Sequence, residues 1–313
     1  MSDLKRHHAS SDHNYRVDCV LPVGNIVGES AVWCVQQKAL LWVDIVGKSL
    51  CRYVPATTEY QTWPTPDFPT SIGLCRSAGY VVGLQKDVVL WNGGHEFLPL
   101  ATIEPDFCDN RLNEGRVGPD GNFWLGTMQN NLSEDGSLQE MSRDSGAIYR
   151  LAPTGEVTRL TDNNFGITNT FLWSPEVPKS FITADTLKNK LFCYDYCQQT
   201  GEITNRRTFS ESFNRGLPDG SCLDADGYVW NCRVAGGGCV VRFTPTGEVD
   251  LVVDLPCSWP TSCTFGGDRL QTLYVTSARI GLSSAQINAN PQEGGLFAID
   301  LGIQGLEEHR FDR

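Results

Sequence analysis

The stretch RLNEGRVGPDGNFWLGTM (residues 111–128) contains the unit that decides the fold. A polar residue, Asn113, is followed four positions later by Val117, then by the turn GPDG (118–121) and by a second apolar run, FWLGTM (123–128). Short runs rich in Val, Phe and Trp that are bounded by Gly, Pro, Asp and Asn are typical of β-strands. The stretch therefore predicts two consecutive strands joined by a tight turn.

This unit occurs six times along the chain, and no segment keeps a helical period for more than about two turns. The units begin at Glu29, Thr70, Asn113, Asn169, Asp219 and Thr261. A third strand follows in each unit, and two of these end in the turn PTGEV (153–157 and 245–249), where Gly supplies the positive φ of a hairpin. Six such repeats predict an all-β chain folded as a six-bladed β-propeller, with a double β-sandwich as the alternative.

Composition and the N-terminus indicate the domain organisation. Polar residues 1–16 predict a flexible tail, and residues 17–313 predict a single propeller domain, because 40% of the 313 residues are hydrophobic and can fill one large core. The N-terminus has no apolar leader segment, and no run of 18 apolar residues occurs. We therefore expect a cytoplasmic protein that does not interact with a membrane.

Charge and cysteine content exclude further classes of protein. The formal charge of −12 and the pI near 4.8 argue against nucleic-acid binding, which needs clustered Lys and Arg. Twelve cysteines occur without a CxxC pair. Those within apolar strand-like runs are Cys34, Cys51, Cys75, Cys193, Cys222, Cys232, Cys239 and Cys263. Buried reduced thiols are expected rather than disulfides.

The propeller geometry is expected to bring the six starting residues together. The innermost strand of each blade lines the central channel, so the residues at which these strands start meet at one mouth. Two carboxylates, Glu29 and Asp219, would there face the amide oxygens of Asn113 and Asn169. Such a set suits one divalent cation, Ca²⁺, Mg²⁺, Mn²⁺, Zn²⁺ or Fe²⁺. The alternative is that these residues only cap turns.

Other catalytic schemes lack the necessary residues. The five histidines are His7, His8, His13, His95 and His309, which stand in the N-terminal tail, in a Gly-rich loop and near the C-terminus. They form no HExxH motif, and none of them is placed to serve as the histidine of a Ser-His-Asp triad.

Several motifs together resemble a known family, in order and in spacing, from about residue 17 to residue 301. They are, in chain order, GESAVW (28–33), LLWVDI (40–45), the stretch 111–128, GITNTFLWSP (166–175) and LPDGSCLDADGYVW (217–230). The chain resembles the SMP-30/gluconolactonase/regucalcin-like family. The resemblance implies a six-bladed propeller, one divalent cation in the channel mouth and hydrolysis of sugar-derived lactones to aldonic acids.

The resemblance also implies which residues hold the metal and activate water. Glu29, Asn169 and Asp219 correspond to the family's metal ligands, and Asp219 also to its proposed general base. The expected reaction is the metal-dependent hydrolysis of a sugar lactone, in which the cation polarises the carbonyl and Asp219 activates water. A calcium-binding regulatory propeller without turnover, and a promiscuous esterase or organophosphate hydrolase, are the alternatives.

The expected substrate contacts come from the third repeat. Arg111 and Asn113 correspond to the family's substrate-contacting residues, and Asn131 is expected to hydrogen-bond sugar hydroxyls. The alternative for Arg111 is that it only bridges blades. Glu114 should point away from the channel, because neighbouring side chains of a strand point to opposite faces.

Three further features bear on substrate choice. Residues 129–143 form an insertion that is expected either to cover the pocket as a rim loop or to lie in solvent. Arg233 and Arg279 would favour an anionic substituent if they pointed inward. Thr170 stands where the family often has Gly.

Overall fold

The computed structural model describes residues 15–175 and 179–313. In these residues the chain is almost entirely β-structure and turns, and the single α-helix, α1 (Ser284–Ala289), is too short and too polar to span a bilayer. Residues 1–14 of the predicted tail lie outside the described residues. The first strand, β1 (Arg16–Leu21), begins at the last residue of that tail.

The first three blades are antiparallel sheets whose strands follow in chain order from the channel outward. Blade I consists of β2 (Gly28–Cys34), β3 (Ala39–Asp44), β4 (Ser49–Val54) and β5 (Glu59–Pro64). Blade II consists of β6 (Ser71–Cys75), β7 (Tyr80–Gly83), β8 (Asp87–Trp91) and β9 (Phe97–Thr102). Blade III consists of β10 (Asn110–Val117), β11 (Phe123–Gln129), β12 (Ile148–Leu151) and β13 (Val157–Arg159).

The other three blades repeat this order. Blade IV consists of β14 (Thr168–Trp173), β15 (Ser180–Asp185), β16 (Lys190–Cys197) and β17 (Glu202–Ser210). Blade V consists of β18 (Leu217–Leu223), β19 (Val229–Val234), β20 (Cys239–Phe243) and β21 (Val249–Asp254). Blade VI consists of β22 (Pro260–Gly266), β23 (Thr272–Ser277) and β24 (Leu296–Asp300), with β1 as its outer strand. The last strand, β25 (Arg310–Phe311), pairs in parallel with β6.

The six blades close into a ring. Each innermost strand contacts those of the two neighbouring blades, in the order β2, β6, β10, β14, β18 and β22, and β22 contacts β2 again. Closure is completed where β1 pairs antiparallel with β24, with Arg16 opposite Asp300 and Cys19 opposite Phe297. The predicted all-β, six-bladed propeller is therefore confirmed.

The predicted PTGEV hairpins connect the third and fourth strands of blades III and V. Gly155 and Gly247 have φ of 93° and 86°, in the region that favours glycine. Their backbone N–H groups donate to the carbonyl oxygens of Ala152 and Thr244, which closes each turn.

A β-bulge interrupts five of the six innermost strands at the same level. In β2, β10, β14, β18 and β22, two residues face a single residue of the neighbouring strand. Strand β6 instead pairs with β7 in regular register. A bulge bends its strand and re-aims the side chains beside it, so these bulges turn the starting residues toward the channel mouth.

Apolar side chains fill the interfaces between the blades. Trp42, Trp124 and Trp230, on the second strands of blades I, III and V, are fully buried. Each indole N–H donates to an oxygen of a nearby Asn or Asp side chain, so none of these rings buries an unpaired donor. All twelve cysteines are free thiols, and the eight predicted to be buried are buried.

The C-terminal segment lies across the ends of the innermost strands that are opposite the starting residues. It crosses the far ends of the innermost strands, where Gly305 bridges to Asp224, and then joins blade II as β25. Glu308 lies in this segment, and the Arg116 guanidinium donates to both of its carboxylate oxygens, at 3.1 and 2.6 Å. The two side chains are only 8% and 18% exposed, and a cavity of about 50 Å³ lies beside them.

Replacing Glu308 by Gln should destabilise the propeller by about 3 kcal/mol, because it removes the carboxylate that accepts two hydrogen bonds from the largely buried Arg116. Urea unfolding followed by tryptophan fluorescence measures the loss. Glu307→Gln, at the exposed neighbouring position, is the matched control and should change the unfolding free energy by less than about 0.5 kcal/mol. A loss below about 1 kcal/mol for Glu308→Gln would show that the pair is worth no more than a surface ion pair.

Candidate functional site

A cavity of about 510 Å³ opens at the mouth where the innermost strands begin. All six residues predicted for the site line it: Glu29, Arg111, Asn113, Asn131, Asn169 and Asp219. We call the five of them that lie on innermost strands, all but Asn131, the floor of the cavity. Ring closure thus brings together positions that belong to four different blades and lie far apart in the chain. Their roles in binding and catalysis stay predictions.

Five of the six starting residues line the cavity, and Thr70 does not. The Thr70 hydroxyl donates to the Gly83 carbonyl of the neighbouring strand at 3.3 Å. Thr70 immediately precedes β6, the innermost strand that pairs in regular register. The expected ring of six oxygen-bearing side chains is therefore wrong at this position, because the strand does not re-aim Thr70 toward the mouth.

Glu29 and Asp219 come together at the floor, close enough for each carboxyl group to shift the pKa of the other. Burial and the charges of Glu29 and Glu114 raise the pKa of Asp219 well above its ordinary value. Burial and the charge of Glu114 raise the pKa of Glu29 to about 8. Two carboxyl groups in such a place cannot both ionise unless positive charge lies beside them.

Glu114 adds a third carboxylate close to the floor. It is not among the residues that line the cavity, as strand alternation predicts. Its Oε1 accepts from the Gly115 N–H and its Oε2 from the Thr170 N–H, both at 2.9 Å. Its charge nevertheless raises the pKa of both floor carboxyl groups. Strand alternation missed this effect because the bulge in β10 places Asn113 and Glu114 together opposite one residue of β11.

Hydrogen bonds orient the two amide groups of the floor. Asn169 Nδ2 donates to Thr186 Oγ1 at 2.8 Å, which turns Asn169 Oδ1 toward Asn113 Nδ2, 3.4 Å away. Asn113 Nδ2 also donates to the Thr168 carbonyl at 2.9 Å. The Asn169 oxygen is thereby held in a fixed orientation at the floor as a neutral acceptor.

Thr170 joins blades IV and V at the floor. Its φ is 60°, in the left-handed region, which accounts for the glycine that the family often has at this position. Its hydroxyl donates to the Asp219 carbonyl at 2.6 Å and lies 2.7 Å from Ser221 Oγ. Thr170 therefore fixes the backbone that carries Asp219, through a contact that glycine cannot make.

Arg111 links β10 to the loop that follows β11. Its Nε and Nη2 donate to Asn131 Oδ1 at 3.2 and 2.9 Å. Its Nη1 donates to the Leu112 carbonyl at 2.8 Å and to Asn113 Oδ1 at 2.9 Å. Burial lowers the pKa of Arg111 to about 10, so it stays charged at neutral pH. Arg111 thus positions two predicted substrate contacts within blade III, and these bonds do not bridge two blades.

Residues 129–143 form a rim loop over the cavity. Asn131, Leu132, Leu138 and Met141 of this loop line the cavity. Leu132 is also buried in the apolar core shared by blades I and II, which anchors the loop. Of the two expectations for this insertion, the rim loop is the one observed.

Neither arginine considered for an anionic substituent lines the cavity. The Arg233 guanidinium is buried and donates to five acceptors: the side-chain oxygens of Asn189 and Asn231 and the carbonyl oxygens of Phe213, Arg215 and Gly216. Arg233 is thus a structural group that holds the loops around blade V together. Both arginines thus lie outside the cavity lining, although the charge of Arg233 still lowers the pKa of Asp219.

The floor has the donor set of a divalent-cation site. Glu29 and Asp219 supply two carboxylates and Asn169 a neutral amide oxygen, which are ligands that Ca²⁺ and Mg²⁺ prefer. Within residues 15–175 and 179–313, no three His, Cys, Asp or Glu side chains are grouped as a metal site, so the set depends on this amide. Burial, together with the charge of Glu114, raises the pKa of both carboxyl groups, and a cation at the floor would favour their ionised forms. The residues present therefore fit such an ion.

Comparison with known proteins identifies the family. Residues 27–279 match the family model described as the SMP-30/Gluconolactonase/LRE-like region. The chain belongs to the SMP-30/gluconolactonase/LRE-like family. The resemblance found in the sequence motifs is confirmed, and the matched region contains the whole floor and the rim loop.

Members of this family cover nearly all of the chain. Regucalcin of Oryctolagus cuniculus is 36% identical over 301 residues, 95% of this chain and 98% of the relative. A regucalcin of Agrobacterium tumefaciens, described as a calcium-binding protein, has a TM-score of 0.87 at 26% identity and covers 96% of this chain and 98% of its own. A luciferin-regenerating enzyme has a TM-score of 0.86 at 26% identity, with 96% and 100% covered. The chain thus shares the complete propeller with these relatives.

In the presence of a chelator, the propeller should lose stability as the pH rises from about 4 to about 8. The pKa of Glu29 is raised to about 8 and that of Asp219 is raised well above its ordinary value. The folded state therefore keeps protons that the unfolded chain releases near pH 4, and stability is lost as the pH rises through this window. Urea unfolding at several pH values measures the slope.

Asp219→Asn should flatten this pH dependence, because it removes one of the two charges that repel each other. Asp226→Asn, at an exposed turn of the same blade, is the matched control and should keep the original slope. Equal slopes in all three proteins would contradict the electrostatic description of the floor.

Proposed function

We propose that the protein hydrolyses a lactone, a sugar lactone being the substrate expected from the sequence, with a divalent cation at the floor. One observation carries the proposal: two neighbouring carboxyl groups, an oriented amide and a buried arginine lie at the bottom of a cavity of about 510 Å³. A cavity of this size suits a small molecule. Membership of a family named in part for gluconolactonase supports the reaction class.

Glu29, Asn169 and Asp219 would hold the cation. When bound, it would polarise the ester carbonyl as a Lewis acid. The donor set and the description of the Agrobacterium tumefaciens relative as calcium-binding support this assignment. Ca²⁺, Zn²⁺, Mn²⁺, Mg²⁺ and Fe²⁺ are the candidate ions, because all accept carboxylate and amide oxygens.

Asp219 is the proposed base, and the positive charge expected at the floor would favour its ionised form. Its carboxylate takes a proton from water while the water oxygen bonds to the carbonyl carbon of the lactone. The bond between that carbon and the ring oxygen then breaks, and the ring oxygen receives the proton from Asp219. One lactone and one water give one hydroxy acid. The Thr170 contact with the Asp219 backbone supports this placement of the base.

Arg111, Asn113 and Asn131 are the proposed positioning groups for the substrate. The Arg111 bonds described above use four of its five N–H groups, and the Asn131 bonds use its Oδ1. The remaining Arg111 N–H and the Asn131 Nδ2 group are suited to donate to the carbonyl or ring oxygens of a lactone.

A calcium-binding propeller without turnover is the second candidate function. The description of the Agrobacterium tumefaciens regucalcin favours it. Both candidates use the same floor, and they differ in whether a lactone is opened.

Asp219→Asn should lower kcat for lactone opening at least about 100-fold, because the water loses its base. A panel of hexono- and pentonolactones, followed with a pH indicator after loading with each candidate cation and again with chelator, measures the activity. Circular dichroism checks that the variant folds, and Asp226→Asn is the control that should keep full activity. Full activity in Asp219→Asn would remove this residue as the base, and Ca²⁺ binding without opening of any lactone would favour the second candidate.

Arg111→Ala should raise KM about tenfold or more while the affinity for the cation stays within about twofold, because the arginine positions substrate contacts and is not a metal ligand. Steady-state kinetics and calorimetric titration with the cation measure the two quantities. A parallel loss of cation affinity would instead give Arg111 a structural role at the floor.

A further inference from the structure

Above the floor, the cavity is lined mainly by apolar side chains. We call this part the wall, and its largest members are Leu132, Leu138, Met141, Leu187, Trp259 and Ile280. They come from the rim loop, from the turn between β15 and β16, and from the segments next to β22 and β23. The site therefore combines a charged floor with an apolar enclosure.

Two side chains of the wall are left uncovered by the protein itself. Leu138 and Leu187 line the cavity and are 53% and 49% exposed. Large apolar side chains that are exposed around a cavity indicate a ligand surface, because covering them removes apolar area from water. A substituent that packs against them would gain this burial.

The polar side chains that line the cavity beside the floor, Asn131, Gln139, Thr186 and Thr261, are outnumbered by apolar ones, and the floor itself has few free donors. Asn113 Nδ2 and Asn169 Nδ2 already donate to protein oxygens, and Arg111 uses most of its N–H groups in the same way. Each hydroxyl that is buried without a partner weakens binding. The wall cannot supply these partners, so a fully hydroxylated substituent matches it poorly.

The charge of the lining argues against an anionic substituent. Among the residues that the structure describes, Arg111 is the only cationic side chain that lines the cavity, and its charge interacts with that of Glu29. The Arg233 guanidinium donates its hydrogen bonds to protein acceptors outside the cavity. Among the described residues, the wall offers no positive charge to a phosphate, sulfonate or carboxylate. We therefore expect the substituent to be neutral.

We infer that the substrate is a lactone whose ring carries a neutral apolar substituent, an alkyl or aryl group that packs against the wall while the ester group reaches the floor. This inference rests on the proposed lactone hydrolysis and names its substrate class. It departs from the sugar lactone expected from the sequence only in the substituent, since the bond that breaks is the same.

A matched series of lactones tests the inference on the metal-loaded protein. γ-Butyrolactone, γ-hexalactone and γ-octalactone differ only in the length of an alkyl chain, and D-galactono-γ-lactone is the hydroxylated counterpart. We expect kcat/KM to rise about threefold per added methylene, and to be at least about tenfold higher for γ-octalactone than for the galactonolactone. No rise with chain length, or a preference for the galactonolactone, would overturn the inference and leave lactone hydrolysis standing.

Substitutions in the wall locate the effect. Leu187→Ser and Leu138→Ser should each lower the ratio of kcat/KM for γ-octalactone to that for γ-butyrolactone about fivefold or more. Leu98→Ser, at an exposed leucine of β9 that is not among the cavity-lining residues, is the matched control and should leave the ratio unchanged. An unchanged ratio in both wall variants would show that the alkyl chain binds elsewhere and would contradict the assignment.

Binding of unreactive analogues separates this inference from the proposed function. 5-Alkyl-2-pyrrolidinones are lactams that keep the ring and the substituent and resist hydrolysis. Calorimetric titration should show affinity that rises with chain length and a negative heat-capacity change. If no lactone is opened but the alkyl lactams bind in this way, the lactonase proposal fails and the apolar wall stands as a ligand surface. If the lactams bind without dependence on chain length, the inference fails.

Discussion

The antiparallel pairing of β1 with β24 is the constraint on which the rest of the molecule depends. A four-stranded blade cannot bury its own faces, so each blade needs a neighbour on both sides, and only a closed ring provides one for every blade. β1 supplies the outer strand of blade VI and so ties the N-terminal part of the propeller to its last blade. Closure is also what brings Glu29 of the first blade against Asp219 of the fifth, although three whole blades separate them in the chain. The site is therefore a product of ring closure and not of any local segment.

The arrangement that closure creates at the floor is electrostatically unfavourable by itself. Glu29, Glu114 and Asp219 lie close together, and within the described part of the chain Arg111 is the one cation in the cavity lining. The raised pKa values of the floor carboxyl groups express this repulsion, and backbone donors hold Glu114 in place despite it. Proteins tolerate such clusters where function needs them, because the rest of the fold supplies the stability. Here the surrounding support is the set of bulged inner strands, the Thr170 contact and the packed blade interfaces.

The sequence predicts the fold and the identity of the floor well, because both follow from one unit that recurs in every blade. Prediction from the sequence fails where a β-bulge, or its absence, changes the regular alternation of side chains along a strand. Regular alternation predicts that Glu114 is unimportant, whereas a bulge keeps its charge near the floor, and a starting residue without a bulge, Thr70, turns away. Arg233 shows a different failure of sequence-based prediction. The residues next to it in the sequence do not indicate that its guanidinium donates to the carbonyl oxygens of Phe213 and Gly216 in a loop. The ion pair of Glu308 with Arg116, at the far ends of the innermost strands, is equally a long-range contact that no periodicity encodes.

The floor and the wall are built from different kinds of structure, and the proposed function assigns the reaction to the floor and the selection of substrate to the wall. The floor residues stand on innermost strands, whose positions are set by the ring and are hard to move without disturbing all six blades. The wall stands on loops, among them the rim loop and the turn that carries Leu187, and loops change in length and composition at little expense to the core. The same chemistry at the floor can therefore be combined with different walls. In the proposed function, therefore, the reaction class depends on Glu29, Asn169 and Asp219, whereas the choice of substrate depends on Leu138, Leu187 and their neighbours in the loops.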